Sequence, residues 1–276
     1  MSKERVHEQV RSRNENFVEK SSTRIWKEWA SIDNPYIPSR ISCHGYDLFE
    51  LVKNSSFSEV FFLLFKGEIP DKKDAKLFES LMIALINPGP RHDATRAAMN
   101  AGVGKTSSVH ILPIALAVFG GEYLGAGKIE EIMRFLRKSQ KLDVGEFSND
   151  ILNKLELDQL TEQDIPGFGN IYGGVDLVST KIAEILLGLS KPDSALEWGC
   201  KLVEKLKDKG IGWLPTGLAS AVLSDLGFHP RAGSCLYQLL SAPGLAAHGI
   251  ELANKPITAM PYVKDEDYVI ARDENV

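Results

Sequence analysis

At 276 residues, with 43% hydrophobic and 25% charged residues, the chain has the composition of an ordinary globular protein able to bury a sizeable core. Its net charge of −5 gives no electrostatic reason for a nucleic-acid partner, although a local basic pocket for a small anion stays open. Cys43, Cys200 and Cys235 stand apart with no CxxC spacing, and the polar, charged start is no signal peptide. The longest apolar run, Ile111 to Gly121, is too short to span a bilayer and contains Pro113. A cytoplasmic protein with reduced thiols, no metal site and no membrane partner is expected.

Residues 1–40 are polar and weakly periodic, an arm expected to pack on the body through Ile25, Trp26 and Trp29. A short strand or turn follows at Ile41–Asp47, with Asp47 a helix cap for Leu48–Asn54. Ser56 and Glu59 fit a capping box that opens Val60–Lys66. Apolar spacing predicts helices from Asp71 to Ile86, stopped by Pro88-Gly89-Pro90, and from Ala94 to Gly102. Ser107 to Phe119 is apolar nearly all round, so it is either buried on all sides or part of a subunit interface. Lys128–Lys138 is amphipathic, and the polar stretch 139–165 suits a hinge or a mobile insertion.

A glycine-dense loop, Pro166 to Gly174, precedes helices at Leu177–Leu187 and Ser194–Lys209. Trp213–Glu251 then holds two apolar helical patterns, Leu218–Leu226 and Cys235 to Ile250, divided by Gly227-Phe228-His229-Pro230. Small residues crowd both patterns and permit close backbone approach. Leu214-Pro215-Thr216-Gly217 starts the first, where orphan amides favour a polar or anionic partner. Strand signals are confined to short segments near 41–43 and at the C-terminus, so the expected class is mainly α.

Gly102-Val103-Gly104-Lys105-Thr106 tempts a phosphate-loop reading, but position 99 is Met rather than Gly and no strand precedes it. His92, His110 and His229 lack partners at metal spacing.

Six blocks in order resemble the citrate synthase superfamily, and most of all its short citryl-CoA lyase-like branch. His44-Gly45-Tyr46-Asp47 through Glu50-Leu51, with Ser56-Phe57-Ser58-Glu59-Val60 and Leu63-Leu64, is similar to the family's RGYD-x-x-EL…SF-x-EV-x-x-LL. Gly89-Pro90 and the helix to Gly104 resemble the segment after its DHG motif, and Gly120–Ala126 resembles its GP-x-HGGA loop. Gly167-Phe168-Gly169 is similar to the start of its GFGH loop. Leu223–Phe228 and Pro243–His248 resemble the two helices after its catalytic aspartate.

The resemblance implies a two-domain, mainly α-helical fold. A large domain would comprise 41–138 and 210–276, and a small one 139–209. It also implies a homodimer built on Ser107–Phe119, with a coenzyme A thioester or a related carboxylic compound as ligand and no tightly bound cofactor.

At the family's catalytic positions this chain carries other residues. The DHG histidine falls on Pro88, with Asn87 before it. The HGGA histidine falls on Tyr123, or on Leu124 with a shift of one. The GFGH histidine falls on Asn170, the aspartate on Thr216 and the RGYD arginine on His44. The arginine of the DPR motif is missing after Asp176, and Thr258-Ala259-Met260-Pro261 stands where C-terminal arginines bind carboxylates. Thr216 cannot abstract a C–H proton, whereas Tyr123 and Asn170 still donate hydrogen bonds to an enolate oxygen.

The site candidates are therefore Tyr123, Asn170, Thr216 and His44 for chemistry, and His248, Asn87, Gly167 and Gly169 for substrate binding. Three readings stay open. One is a transferase or lyase of Claisen type with altered chemistry. Another is a silent homologue, a ligand-binding module or a partner to an intact paralogue in a hetero-oligomer. The last is an ordinary family enzyme in another register that recruits His92, Asp93 or His110.

Overall fold

The computed structural model describes residues 22–268, which form eleven α-helices and five short strands. The chain divides into two compact units, Met1–Ser56 and Phe57–Val276. In the first, β1 (Trp26–Ala30), β2 (Pro38–Cys43) and β3 (Tyr46–Asp47) form an antiparallel sheet in that order, followed by α1 (Leu48–Asn54). Trp26 pairs with Cys43 and Ala30 with Pro38, with a register shift between Trp29 and Ala30. Strand β1 falls where no strand signal is legible, because Trp26-Lys27-Glu28-Trp29-Ala30 has no clean two-residue alternation and its faces stay largely exposed. Asp47 caps α1 as expected, its Oδ1 accepting the amides of Phe49 and Glu50 at 3.0 and 3.3 Å.

Among the described residues the second unit is mainly helical: α2 (Phe57–Lys66), α3 (Lys72–Leu85), α4 (Asp93–Val103), α5 (Ser108–Phe119), α6 (Ile129–Ser139) and α7 (Val144–Glu156) come first. Then follow β4 (Phe168–Gly169), α8 (Leu177–Leu187), α9 (Ala195–Leu206), β5 (Gly212–Trp213), α10 (Pro215–Asp225) and α11 (Pro230–Ala253). Strands β4 and β5 pair antiparallel, which stacks Phe168 on Trp213 at 4.5 Å between ring centroids. Towards the C-terminus, Ile257–Ala259 and Asp265–Asp267 are short 3₁₀ turns. The rest of the expected terminal strand segment, 269–276, lies outside the described residues.

Helix α10 is the one closed in on every side: Thr216 to Leu223 are all buried. Helix α5 is not. It buries Ile111, Ala115 and Phe119, one residue per turn, and leaves Val109, Ile114 and Val118 exposed. The polar stretch 139–165 holds the capped helix α7, which buries Ile151 and packs Phe147 against Trp198.

Glycines let the helices cross with backbone in contact. A Cβ on Gly102 would fall inside the carbonyl oxygen of Gly249, and one on Gly217 inside that of Gly167. At Gly244 a Cβ would lie 2.6 Å from both Asn87 Cα and the Ile86 carbonyl oxygen. Pro243 offers no N–H, and the Gly244 N–H donates across to Ile86 O at 2.9 Å. Ser241 Oγ donates to Leu85 O at 3.1 Å, so two residues of α11 cap the end of α3.

The lysine of the tempting glycine-rich motif is occupied. Lys105 Nζ donates to the carbonyls of Ala253 and Lys255, both at 2.7 Å, and caps the end of α11. Lys105→Met is expected to cost about 1 kcal/mol in urea unfolding while ATP leaves the wild-type melting temperature unmoved. A melting shift with ATP that the substitution abolishes would restore the phosphate reading.

Asp225 accepts the Ala195 and Leu196 amides at 2.7 and 3.1 Å, tying the end of α10 to the start of α9. Burial outweighs these bonds and pushes its carboxyl up to about 6. Because the folded state holds this proton more tightly than the unfolded one, its contribution to stability falls as pH rises from about 4 to about 6. Between pH 7 and pH 4.5 wild type should therefore gain on Asp225→Asn by on the order of 1–2 kcal/mol, measured by urea unfolding. Parallel pH curves for the two proteins would refute that.

Candidate functional site

The loop from Asn87 to His92 leaves the end of α3 and turns at Gly89, which adopts φ +86°. Asn87 Oδ1 accepts the Gly89 N–H at 2.9 Å, and its Nδ2 lies 3.2 Å from His248 Nε2 on α11. With Oδ1 taken, the amide N–H donates to the unprotonated ring nitrogen. Together with the bonds of Ser241 and Gly244 to the end of α3, this makes three successive ties from α11 to Leu85, Ile86 and Asn87. His92 ends the loop as the cap of α4, its Nδ1 accepting the Ala94 N–H at 3.1 Å. Its Nε2–H then donates to Leu124 O at 3.3 Å, and its ring lies against Phe119.

These ties build one wall of a cavity of about 460 Å³ in the second unit. Asn87 to His92 and the end of α3 form that wall. Leu124, Ile171 and Tyr172 come from the two glycine-rich loops, while Asp176, Ser179 and Ile182 come from the start of α8. Pro215 and Leu218 of α10 and Tyr237 and Ser241 of α11 complete it. The lining is mostly apolar with a few polar groups, as in small-molecule sites generally.

Two lining residues hold unusual backbone angles: Leu124 at φ 52° and Tyr172 at φ 53°, both in the left-handed region that bulky side chains rarely occupy. The hydrogen bond from His92 holds the first in place. Arg91 lies over the ring of the second, 5.7 Å from its centroid, at the rim shared with a neighbouring cavity of about 490 Å³. Arg96, Met99 and Met260 line that second space.

Most polar atoms in the lining are already engaged. Asp176 caps α8, with Oδ1 accepting Val178 N–H at 2.9 Å and Oδ2 accepting Ser179 Oγ–H at 2.6 Å. Asp176 is the one carboxylate of the lining, so no side chain there offers an uncommitted strong base.

Of the residues singled out from the sequence, Asn87 lines the cavity and meets His248 beside it. Tyr123 is 72% exposed, next to the lining Leu124, and Asn170 is exposed next to the lining Ile171. Thr216 is buried in the first turn of α10, one residue past Pro215. Gly167, at φ +88°, presses on Gly217 and accepts the Leu214 N–H, while Gly169 pairs with Gly212. His44 sits in the first unit in the turn between β2 and β3, with φ 47° and its N–H donating to Ile25 O. Among the described residues no cluster of His, Cys, Asp and Glu could hold a metal, and no helix is long and apolar enough to cross a membrane.

Sequence reasoning missed Arg91, Tyr172 and Tyr237. Arg91 and Tyr172 lay in segments that carried a resemblance, after Gly89-Pro90 and after Gly167–Gly169, but at positions to which it assigned no role. Tyr237 had one usable signal: a phenol four residues before Ser241 on the same helix face, within an otherwise apolar stripe.

No protein-family model matches this sequence, and no curated protein matches it. The structure is similar to citryl-CoA lyase from Hydrogenobacter thermophilus, with TM-score 0.73 and 21% identity over 93% of this chain and 97% of that one. It is also similar to citrate synthase from Thermoplasma acidophilum, solved in ternary complex with carboxymethyl coenzyme A and oxaloacetate (TM-score 0.60, 20% identity, 80% of this chain and 58% of that one). A third likeness is to ATP citrate lyase from Methanosaeta concilii in complex with (3S)-citryl-CoA (TM-score 0.66, 16% identity, 90% of this chain and 43% of that one). At these identities the likeness is one of fold: the chain has a mainly α-helical, citrate synthase-like fold that runs nearly the full length of the citryl-CoA lyase.

Proposed function

We propose that the chain is a member of the citrate synthase superfamily that binds a coenzyme A thioester or a related carboxylic compound in the 460 Å³ cavity and acts on it by altered Claisen-type chemistry. One observation carries this reading. Residues from the segments that resemble separate family blocks, or from the stretches directly beside them, meet around that single cavity: Gly89-Pro90 and Leu124 lie in two blocks, Ile171 and Tyr172 follow Gly167–Gly169, Pro215 precedes Thr216 and Ser241 precedes Pro243–His248.

The chemistry must differ from citrate cleavage or synthesis. A Claisen step needs a base for a weakly acidic C–H and donors for the enolate oxygen. Thr216 is no base, Asp176 is spent as a cap and both nitrogens of His92 are bonded. Arg91 is the single cation of the lining, too few for bidentate recognition of three carboxylates. Calorimetry with coenzyme A and acetyl-CoA should show binding. Citryl-CoA cleavage and condensation of acetyl-CoA with oxaloacetate should stay below detection. Absence of any coenzyme A binding would overturn the ligand class, and robust turnover would overturn the altered chemistry.

The protein is further proposed to be a cytoplasmic dimer, paired through the exposed side of α5 at Ile114 and Val118, one turn apart. Sedimentation should give twice the chain mass, and Val118→Glu should bring it to one. A monomer in wild type would refute the pairing.

A further inference from the structure

Tyr237 is 3% exposed on the inner face of α11, and it lines the cavity. Its ring stacks on Phe119, with centroids 5.0 Å apart and planes 17° from parallel. Among the described residues its hydroxyl makes no hydrogen bond, and it is open to the cavity rather than sealed in the core; burial of the ring drives its ionisation far above the ordinary range. It therefore keeps its proton and remains a donor. A buried phenol normally finds a partner, because leaving one unpaired costs free energy.

The other polar groups deep in the lining are paired within the protein. Ser241 donates to Leu85 O, Ser179 to Asp176, and Asn87 bonds Gly89 and His248. What remains is one buried donor within an apolar space, with the Arg91 guanidinium at the rim.

Resting on the reading of this cavity as the ligand site, we propose that Tyr237 is the residue that selects the substrate class. Its hydroxyl donates to the carbonyl oxygen of an acyl compound whose aliphatic chain lies among Leu85, Leu124, Val178, Ile182 and Leu218. The anionic end of the ligand lies towards Arg91. An apolar acyl group, rather than a polycarboxylate, satisfies the orphan donor and stays clear of charges that the lining cannot pair.

Tyr237→Phe removes the hydroxyl and keeps the ring. Wild type should bind octanoyl-CoA about 3- to 10-fold more tightly than S-octyl-CoA, the matched thioether without the carbonyl oxygen. Tyr237→Phe should bind the two alike. Equal affinities in wild type, or a preference that survives in the variant, would overturn the proposal.

A second pair of probes, without coenzyme A, separates this idea from the one it rests on. Saturation-transfer NMR should show 2-heptanone weakened about 3- to 10-fold by Tyr237→Phe, with 1-chlorohexane unchanged. If the ketone behaves so while neither coenzyme A compound binds, the Tyr237 assignment stands and the coenzyme A reading falls. Equal effects on both small probes, or no binding of either to wild type, would refute the assignment. The melting temperature of Tyr237→Phe should equal or exceed that of wild type. A fall of several degrees would reveal an internal partner for the hydroxyl and sink the idea.

Discussion

Backbone-on-backbone contact at a few glycines is the constraint on which the second unit depends. Gly249 lies on Gly102, Gly244 on the Ile86–Asn87 segment and Gly217 on Gly167, each at a spacing that leaves no room for a methyl group. These contacts lie on α10 and α11, the paired helices of the Trp213–Glu251 stretch. They lock α11 to α4 and α3, and α10 to the glycine-rich loop before β4. Interiors packed to crystalline density tolerate little relaxation at such points, so a larger residue would have to move a whole helix.

The cavity is a by-product of the same contacts. Ser241 and the Gly244 amide tie the end of α3 to α11, and the pairing of Asn87 with His248 ties the first residue of the loop that follows. His92 then ties this loop to Leu124 of the glycine-rich loop after α5, across 3.3 Å. A rigid, largely apolar hollow results, whose polar atoms mostly serve the scaffold. Its chemistry is left to what the scaffold does not use, which is a buried phenol and an arginine at the rim.

Helix boundaries were legible because their signals are local. Asp47, Asp71 and Asp176 each stand immediately before an apolar repeat and each caps the helix that follows. The helices Leu48–Asn54 and Leu177–Leu187 coincide with their apolar periods. Strand β1 was not legible, since its pairing with β2 is a contact between segments whose own patterns are weak. Lys105 shows the same limit in a motif: its glycine neighbours suggested a phosphate, and only its position beside the last turn of α11 shows what it binds. In the candidate site, Asn87 and the Leu124 alternative could be read from order and spacing. Arg91 and Tyr172 could not, because nothing in their immediate neighbours marks them as facing a common space, and Tyr237 offered only a phenol in an apolar helix stripe.

By itself, the sequence determined the helical class, most helix limits and the presence of small-residue stripes, all of which follow from one-dimensional periodicity and from capping chemistry. It also placed the blocks that resemble the citrate synthase superfamily in their order. Only the tertiary structure decided that Gly89-Pro90, Leu124 and residues beside other blocks line one cavity, which of the lining's polar atoms are consumed as caps, and that among the described residues the Tyr237 hydroxyl makes no bond. Hydrogen-bond satisfaction depends on which residues meet across hundreds of positions, and a linear pattern does not carry that information.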